Sequence, residues 1–440
     1  MIVPPAPVAG RTVAFRAELL DFSGDPRRDA RALRHLPDGL LVVRDGVVER
    51  CEPADTALAT LPPGTPVTDL RGCLVVPGFV DAHVHYAQTD VIASHGHALL
   101  DWLENYTFPE EARFADAAHA RATAEFFLDQ LLRNGTTTAA VFATSHPASV
   151  DSFFAAAHAR RLRMVCGKVM MDRHCPEALR DTAAGAFDDS AALIERWHGR
   201  GRLAYAVTPR FAPTSSDAQL EAAARLLDRY PGVRLQTHVA ENDAEIRWVA
   251  ELHPWSRSYL DVYDRFGLVR EGTLFAHCIH LDDADWARLA GARSVAVHCP
   301  TSNTFLGSGL FDYERAHAAN APVALATDVG GGTSFGMLAT MHEAYKVARL
   351  AGNDFDGLDA FYLATLGGAR ALGFADRIGS FAPGRDADFV VLDPRATPLL
   401  ARRTGLARTL EERLFVLLTL ADDRAVAQTY VLGEPALPAR

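Results

Sequence analysis

Short apolar runs return along the chain at intervals that each leave room for a helix. Eight of them carry the β-branched and small apolar residues of buried strands: CLVVPGFVDAHVHY from Cys73, TTTAAVFATSH from Thr136, RMVCGKVMMD from Arg163, LAYAVTPRFAP from Leu203, VRLQTHVAEN from Val233, TLFAHCIHL from Thr273, SVAVHCPTSN from Ser294 and PVALATDVGGG from Pro322. Between them lie helix-like stretches. In DAAHARATAEFFLDQLLRNG, Phe126, Phe127, Leu131 and Leu132 recur at helical spacing, and Gly135 stands where a helix C-cap glycine belongs. Strand and helix alternating in this way predict an α/β fold, a (β/α)8 TIM-type barrel. A doubly wound sheet is the competing arrangement. It asks for a glycine-rich phosphate loop after the first strand, and HVHYAQTD offers none.

The flanks follow another rhythm. GLLVVRDGVVERCE near the start and GRDADFVVLDP and VAQTYVLGEP near the end are short alternating runs with turns, the signature of strands. The two ends are therefore expected to pair into a smaller, β-sandwich-like domain. Its N-terminal part is residues 1–75, the barrel 76–379, and its C-terminal part 380–440.

Composition narrows the function classes. The chain has 440 residues, 49% of them hydrophobic, enough for one large core and a smaller one. Its formal charge is −11, and the densest basic patch, GDPRRDARALRHL, reads as a solvated face, which argues against nucleic-acid and anionic-membrane partners. Cys51, Cys73, Cys166, Cys175, Cys278 and Cys299 are scattered with no C-x-x-C pair, as in a reduced cytosolic protein. The opening MIVPPAPVAGRTVAFRAELL has no signal-peptide pattern, and no apolar run approaches the ~18 residues that span a bilayer. A soluble, cytoplasmic protein is expected.

Chemistry gathers at the ends of the expected strands. His83 and His85 flank Val84, so on a strand both imidazoles face the same way and can grip one cation. Histidine is the commonest metal ligand, and a catalytic zinc usually takes about three protein ligands and leaves a position for water. Isolated, the pair could equally be two histidines on a polar strand face. Arg210, His238, His277 and Asp328, however, fall at the ends of later strands, and barrel active sites are built at that rim. Glu241, three residues beyond His238, adds a carboxyl group able to carry protons. Metal and carboxylate together are hydrolytic equipment.

The segments PGFVDAHVHYAQTD, TPRFAP, THVAEN, AHC, HCPTSN and TDVGGG, with the tail IGSFAPGRDADFVVLDP, resemble the amidohydrolase superfamily. Within it, LLDWLENYTFPEEARF, NGTTTAAVFATSH, TPRF and LATLGGARALGF are similar to the guanine deaminase family, and the likeness spans about residues 70–395. The resemblance implies one zinc per chain, held by His83, His85, His238 and Asp328, with His277 beside the metal's water to orient it and a candidate for a further ligand. It implies that Glu241 protonates the ring nitrogen next to the attacked carbon and that Asp328 passes a proton to the leaving amine. The product would be xanthine, and the assembly a homodimer. The small zinc deaminases that flip bases from nucleic acid are a different case, since H-x-E paired with P-C-x-x-C is missing.

For the base itself, Gln88 can donate and accept, and Arg210 is a fork of donors suited to a ring carbonyl. Phe211 or Trp102 could stack on the ring, or simply wall the pocket. His298 is expected to support the site from behind, whereas His95, His97, His280 and His342 are read as structural. Cys299 is not taken as a nucleophile, because a metal-activated water removes the need for one. Two other readings remain open: a relative acting on 8-oxoguanine, a pterin or an aminotriazine, and a barrel that binds without catalysis.

Overall fold

The computed structural model describes residues 10–96 and 98–438, so the reading of His97 falls outside the described residues. Two sheets organise them. One takes β1 (Thr12–Phe22), β2 (Leu33–Arg44), β3 (Val47–Pro53) and β4 (Val67–Pro77). The barrel follows with β5 (Phe79–His85), β6 (Thr136–Phe142), β7 (Arg163–Gly167), the short β8 (Val169–Met170), β9 (Ala204–Pro209), β10 (Arg234–Val239), β11 (Leu274–His277), β12 (Val295–His298) and β13 (Val323–Leu325). The chain then returns to the first sheet as β14 (Phe389–Leu392), β15 (Val426–Val431) and β16 (Glu434–Pro435).

In the barrel β5, β6, β7, β9, β10, β11, β12 and β13 are parallel neighbours in that order, with β8 beside β9. The ring is shut just past β13, where Asp328 N–H donates to the His83 carbonyl at 3.0 Å and His85 N–H donates to the Val329 carbonyl at 2.8 Å. The backbones of three chemically interesting residues thus close the barrel. On β5, Val80 and Ala82 pack with Ala140, Val165, Ala206, Ala276, Val297 and Ala324 of the other barrel strands, and the register toward β6 shifts between Asp81 and Val84. Past that irregularity His83 and His85 stand at the C-terminal end of the strand.

The first apolar run, read as one strand, serves two sheets. Gly78 divides it: β4 belongs to the outer sheet and β5 to the barrel. A Cβ on Gly78 would lie 2.2 Å from Thr137 Oγ1, so only glycine lets the chain pass between them. On both sides of Gly78 the residues are buried and apolar, Leu74 to Val76 before it and Phe79 and Val80 after it, which is why the run looked continuous.

The outer sheet has the order β16, β15, β14, β4, β1, β2, β3. Phe15 pairs beside Thr68 at one end of β4 and Phe389 beside Pro77 at the other, yet their ring centroids are 4.9 Å apart. The sheet must therefore coil until its ends meet around a shared apolar core.

The helix Ala117–Arg133 packs on the barrel through Phe127, Leu131 and Leu132. Phe126, expected on the same face, is 53% exposed. Adjacent residues are about 100° apart on a helix, and Phe127 takes the inward position. Asp116 caps the helix start, and Gly135 leaves its end at φ +83°. Among the described residues, no helix is long and apolar enough to cross a membrane.

Candidate active site

The strand ends meet in a cavity of about 420 Å³ bordered by His85, Gln88, Arg210, Glu241, His277 and Asp328. Several residues there hold left-handed backbones that non-glycine residues rarely adopt: Ala240 (φ 50°), His277 (φ 72°), Cys278 (φ 53°) and Asp328 (φ 52°). Such conformations cost on the order of 1–3 kcal/mol each and cluster where function needs an abrupt turn. Here the turns keep side chains in the mouth while the chain leaves for the next helix.

Three imidazoles converge. His85 Nε2 lies 3.2 Å from His83 Nε2 and 3.2 Å from His238 Nε2, and Asp328 Oδ1 lies 3.2 Å from His83 Nε2 and 3.5 Å from His85 Nε2. His238 Nδ1–H donates to the Arg210 carbonyl at 2.7 Å. A carbonyl only accepts, so His238 Nε2 offers a lone pair to the cluster. Burial and the neighbouring imidazoles hold His85 and His238 well below the usual histidine range, so both stay neutral. Neutral imidazoles crowding their lone pairs around one carboxylate make little sense as hydrogen-bonding partners alone. They fit a bound divalent cation.

His277 stands on the other side of Asp328, its Nε2 3.8 Å from Oδ2 and 3.3 Å from Glu241 Oε2. Its Nδ1 donates to Asn303 Oδ1 at 2.9 Å, which fixes the ring. Cys299 Sγ also falls near His83, His277 and Asp328, but burial pushes its thiol up, the opposite of an activated nucleophile. Glu241 is buried, and burial pushes its carboxyl up to about 7, so near neutral pH it can both hold and give up a proton. Ser308 Oγ donates to its other oxygen at 3.1 Å, and Glu245 accepts the Glu241 backbone N–H at 3.1 Å.

The wall opposite is made by Gln88 and Arg210, both buried. Arg210 is not a free fork: its Nη1 pairs with Glu111 at 2.7 Å, and Glu111 also accepts Gln88 Nε2–H at 3.0 Å. Trp102 and Phe211 border the cavity, with Trp102 Nε1–H held by the Ser94 carbonyl at 3.1 Å and Phe211 edge-on to Trp248. His298 is buried against Phe311 at 4.6 Å, beyond the cluster, while His280 bonds the Ser308 carbonyl at 2.9 Å.

Two residues escaped the reading of the sequence. Asp81, fully buried, accepts the backbone N–H groups of His83 and Thr327 at 3.3 and 3.1 Å and the Thr327 hydroxyl, tying β5 to the turn before Asp328. Its place two residues before His83 put it on the same strand face, a signal that was there to use. Glu111 had no such signal.

A model of the amidohydrolase family matches residues 74–436. Guanine deaminase of Escherichia coli strain K12 is 49% identical over 423 residues, covering 96% of this chain and 96% of its own. Among solved structures, E. coli guanine deaminase superposes with a TM-score of 0.94 at 47% identity, over 98% of this chain and 99% of that one. A guanine deaminase from C. acetobutylicum, solved with guanine in its active site, superposes with a TM-score of 0.88 at 30% identity, over 97% of this chain and 100% of that one.

Proposed function

The chain belongs to the amidohydrolase family, and on that premise we infer that it hydrolyses the exocyclic C–N bond of guanine, releasing xanthine and ammonia. One observation supports this beyond likeness: the imidazole cluster, the buried carboxyl group of Glu241 and the polar wall of Gln88 and Arg210 all open onto a single cavity. Cation, proton carrier and base-reading groups are the three things such a hydrolysis requires.

We propose one zinc per chain, held by His83, His85, His238 and Asp328, with His277 alongside. When bound, zinc lowers the pKa of a coordinated water to roughly 7 and so supplies the nucleophile for C2. The other roles belong to the chain. Glu241 Oε2 gives its proton to N3, the ring nitrogen beside C2, so that the ring can accept the incoming electrons. Asp328 Oδ2, on the His277 side of the carboxylate, takes a proton from the attacking water and returns it to the amino group, which leaves as ammonia while the remaining proton on the C2 oxygen passes to Glu241 and restores its acid form. His277, its ring pinned by Asn303, orients the water. Arg210 and Gln88 meet the polar edge of the base, and Trp102 and Phe211 wall its faces.

We also propose that residues 76–379 form the catalytic barrel and that 1–75 and 380–440 form the smaller domain, a division supported by the passage at Gly78. A cytoplasmic homodimer is the assembly we expect from the family resemblance. Chelation tests the central reading: ammonia release from guanine should vanish when metal is stripped and return when zinc is restored. Undiminished turnover by a metal-free sample would overturn the zinc assignment.

A further inference from the structure

Glu110 and Glu111 stand side by side in the sequence and meet opposite fates. Glu110, itself mostly buried, pairs outward with the exposed Arg113 at 2.6 Å and with His119 at 3.0 Å, whereas Glu111 is fully buried. The helical segment that carries them begins at Leu99–Trp102, widens into a π turn at Leu103–Thr107 and resumes at Phe108–Ala112. Such turns shift the facing of everything beyond them and recur at functional sites. Here the last stretch delivers two groups to one guanidinium. Arg210 Cζ lies 5.2 Å from the centre of the Phe108 ring, and its Nη1 lies 2.7 Å from Glu111 Oε2. Glu111 Oε1 accepts Gln88 Nε2–H at 3.0 Å, and Gln88 Oε1 accepts Gly330 N–H at 3.2 Å.

We propose that Glu111 is a positioning residue that sets substrate specificity, by dictating which hydrogen-bonding groups Gln88 and Arg210 turn toward the base. The proposal rests on the guanine reading above. An ionised carboxylate only accepts, so Glu111 demands an N–H from Gln88 and thereby forces the amide oxygen toward Gly330. What remains for the ligand is mostly donors: the second Gln88 N–H and the unused N–H groups of Arg210. Guanine offers O6 and N7 as adjacent acceptors, which is what a donor wall needs. Glu111 also cancels the Arg210 charge in a dry pocket, so the wall is polar without favouring an anion. No residue of the chemistry itself touches Glu111 in this network.

A double-mutant cycle of Glu111→Gln and Arg210→Met on zinc-loaded enzyme tests this. It is read as kcat and KM for guanine and for 2-aminopurine, which keeps the amino group but lacks O6. Glu111→Gln should raise KM for guanine about tenfold or more, because a buried donor loses its acceptor. It should leave kcat within about threefold and the zinc content unchanged. The preference for guanine over 2-aminopurine should narrow by about tenfold, and the double variant should stay within about threefold of Arg210→Met alone. Equal losses on both substrates, or losses that simply multiply across the cycle, would overturn the proposal and leave Glu111 a structural residue. If Glu111→Gln does not fold, the double variant still decides, since it buries no unpaired charge. Discrimination matching Arg210→Met supports the proposal, and a further loss refutes it. If the wild-type enzyme ignores guanine and turns over another heterocycle, the functional reading fails on its own. The cycle is then read on that heterocycle and its analogue lacking the ring carbonyl, with the same two outcomes.

Discussion

His83, His85 and His238 sit within β5 and β10, where backbone bonds hold them: β6 and the turn at Asp328 and Val329 for β5, and β11 and the Arg210 carbonyl for His238. Gln88, Glu111 and Arg210 sit past strand ends or on a separate helical segment, and what holds them is one another. The imidazole cluster takes its geometry from the sheet, and the recognition wall takes its geometry from buried side-chain bonds. Losing a cluster residue should therefore remove chemistry and leave its neighbours in place. Losing a wall residue should disturb the residues it bonds. The two halves touch at Arg210, whose carbonyl orients His238 while its guanidinium faces the wall.

The largest effect belongs to the cluster. His238→Ala should abolish ammonia release and lower zinc from about one per chain, with little change in melting temperature, since the strand does not depend on the ring. Elemental analysis and calorimetry on the same sample check both halves of that statement. Turnover that survives without metal would show that the cluster is not the reaction centre.

Next comes Glu241→Gln, which keeps size but removes the acidic proton. Turnover should fall at least about 100-fold while zinc stays bound, because general acid–base catalysis is worth typically 10²–10⁴-fold. Loss of zinc in this variant would move Glu241 from proton carrier to ligand support.

On the wall, Arg210→Met should lower kcat/KM for guanine by about 10- to 100-fold, the loss of a hydrogen bond from a charged donor. Zinc should remain, because the carbonyl that holds His238 is untouched. Here stability should suffer too: the buried Glu111 carboxylate loses its partner, which costs about 3–5 kcal/mol. A normal melting temperature would contradict the view that wall residues hold each other in place.

Glu110→Gln is the smallest change and the sharpest control. Its partner Arg113 is exposed, so stability should shift by about 1 kcal/mol or less, and KM for guanine should not move. A kinetic effect as large as that of the neighbouring Glu111 substitution would erase the contrast between the two glutamates.

The difference between the regions also explains what could be read from the chain. Residues on strands advertise themselves through period two, so His83 and His85 announced a shared face, and His238, His277 and Asp328 fell at the ends of recognisable apolar runs. The barrel followed from the alternation of those runs with helix-like stretches. The wall was legible only in part. Gln88 and Arg210 stood next to strand ends, but Glu111 lies in FPEEARF, where nothing local says which of two glutamates turns inward. Both are buried, and which of them meets Arg210 depends on a π turn and on an arginine far along the chain, which are tertiary facts. Gly78 hid for another reason: both sheets demand buried apolar residues, so the change of sheet left no mark on hydropathy. Phe126 failed because, about 100° around the helix from Phe127, it falls off the buried stripe that Phe127, Leu128, Leu131 and Leu132 fill.

The most direct test of the account is a substrate panel run on the zinc-loaded enzyme, with ammonia release measured for guanine, adenine, cytosine, 8-oxoguanine, a pterin and an aminotriazine. Adenine carries an amino donor at C6 where guanine carries a carbonyl, so it would set a donor against Arg210, and sites of this kind can reject such analogues by roughly 10⁴–10⁵. The account predicts that guanine gives the highest kcat/KM, with xanthine and ammonia formed in equal amounts and adenine and cytosine near background. A higher kcat/KM for the pterin, the triazine or 8-oxoguanine would contradict it.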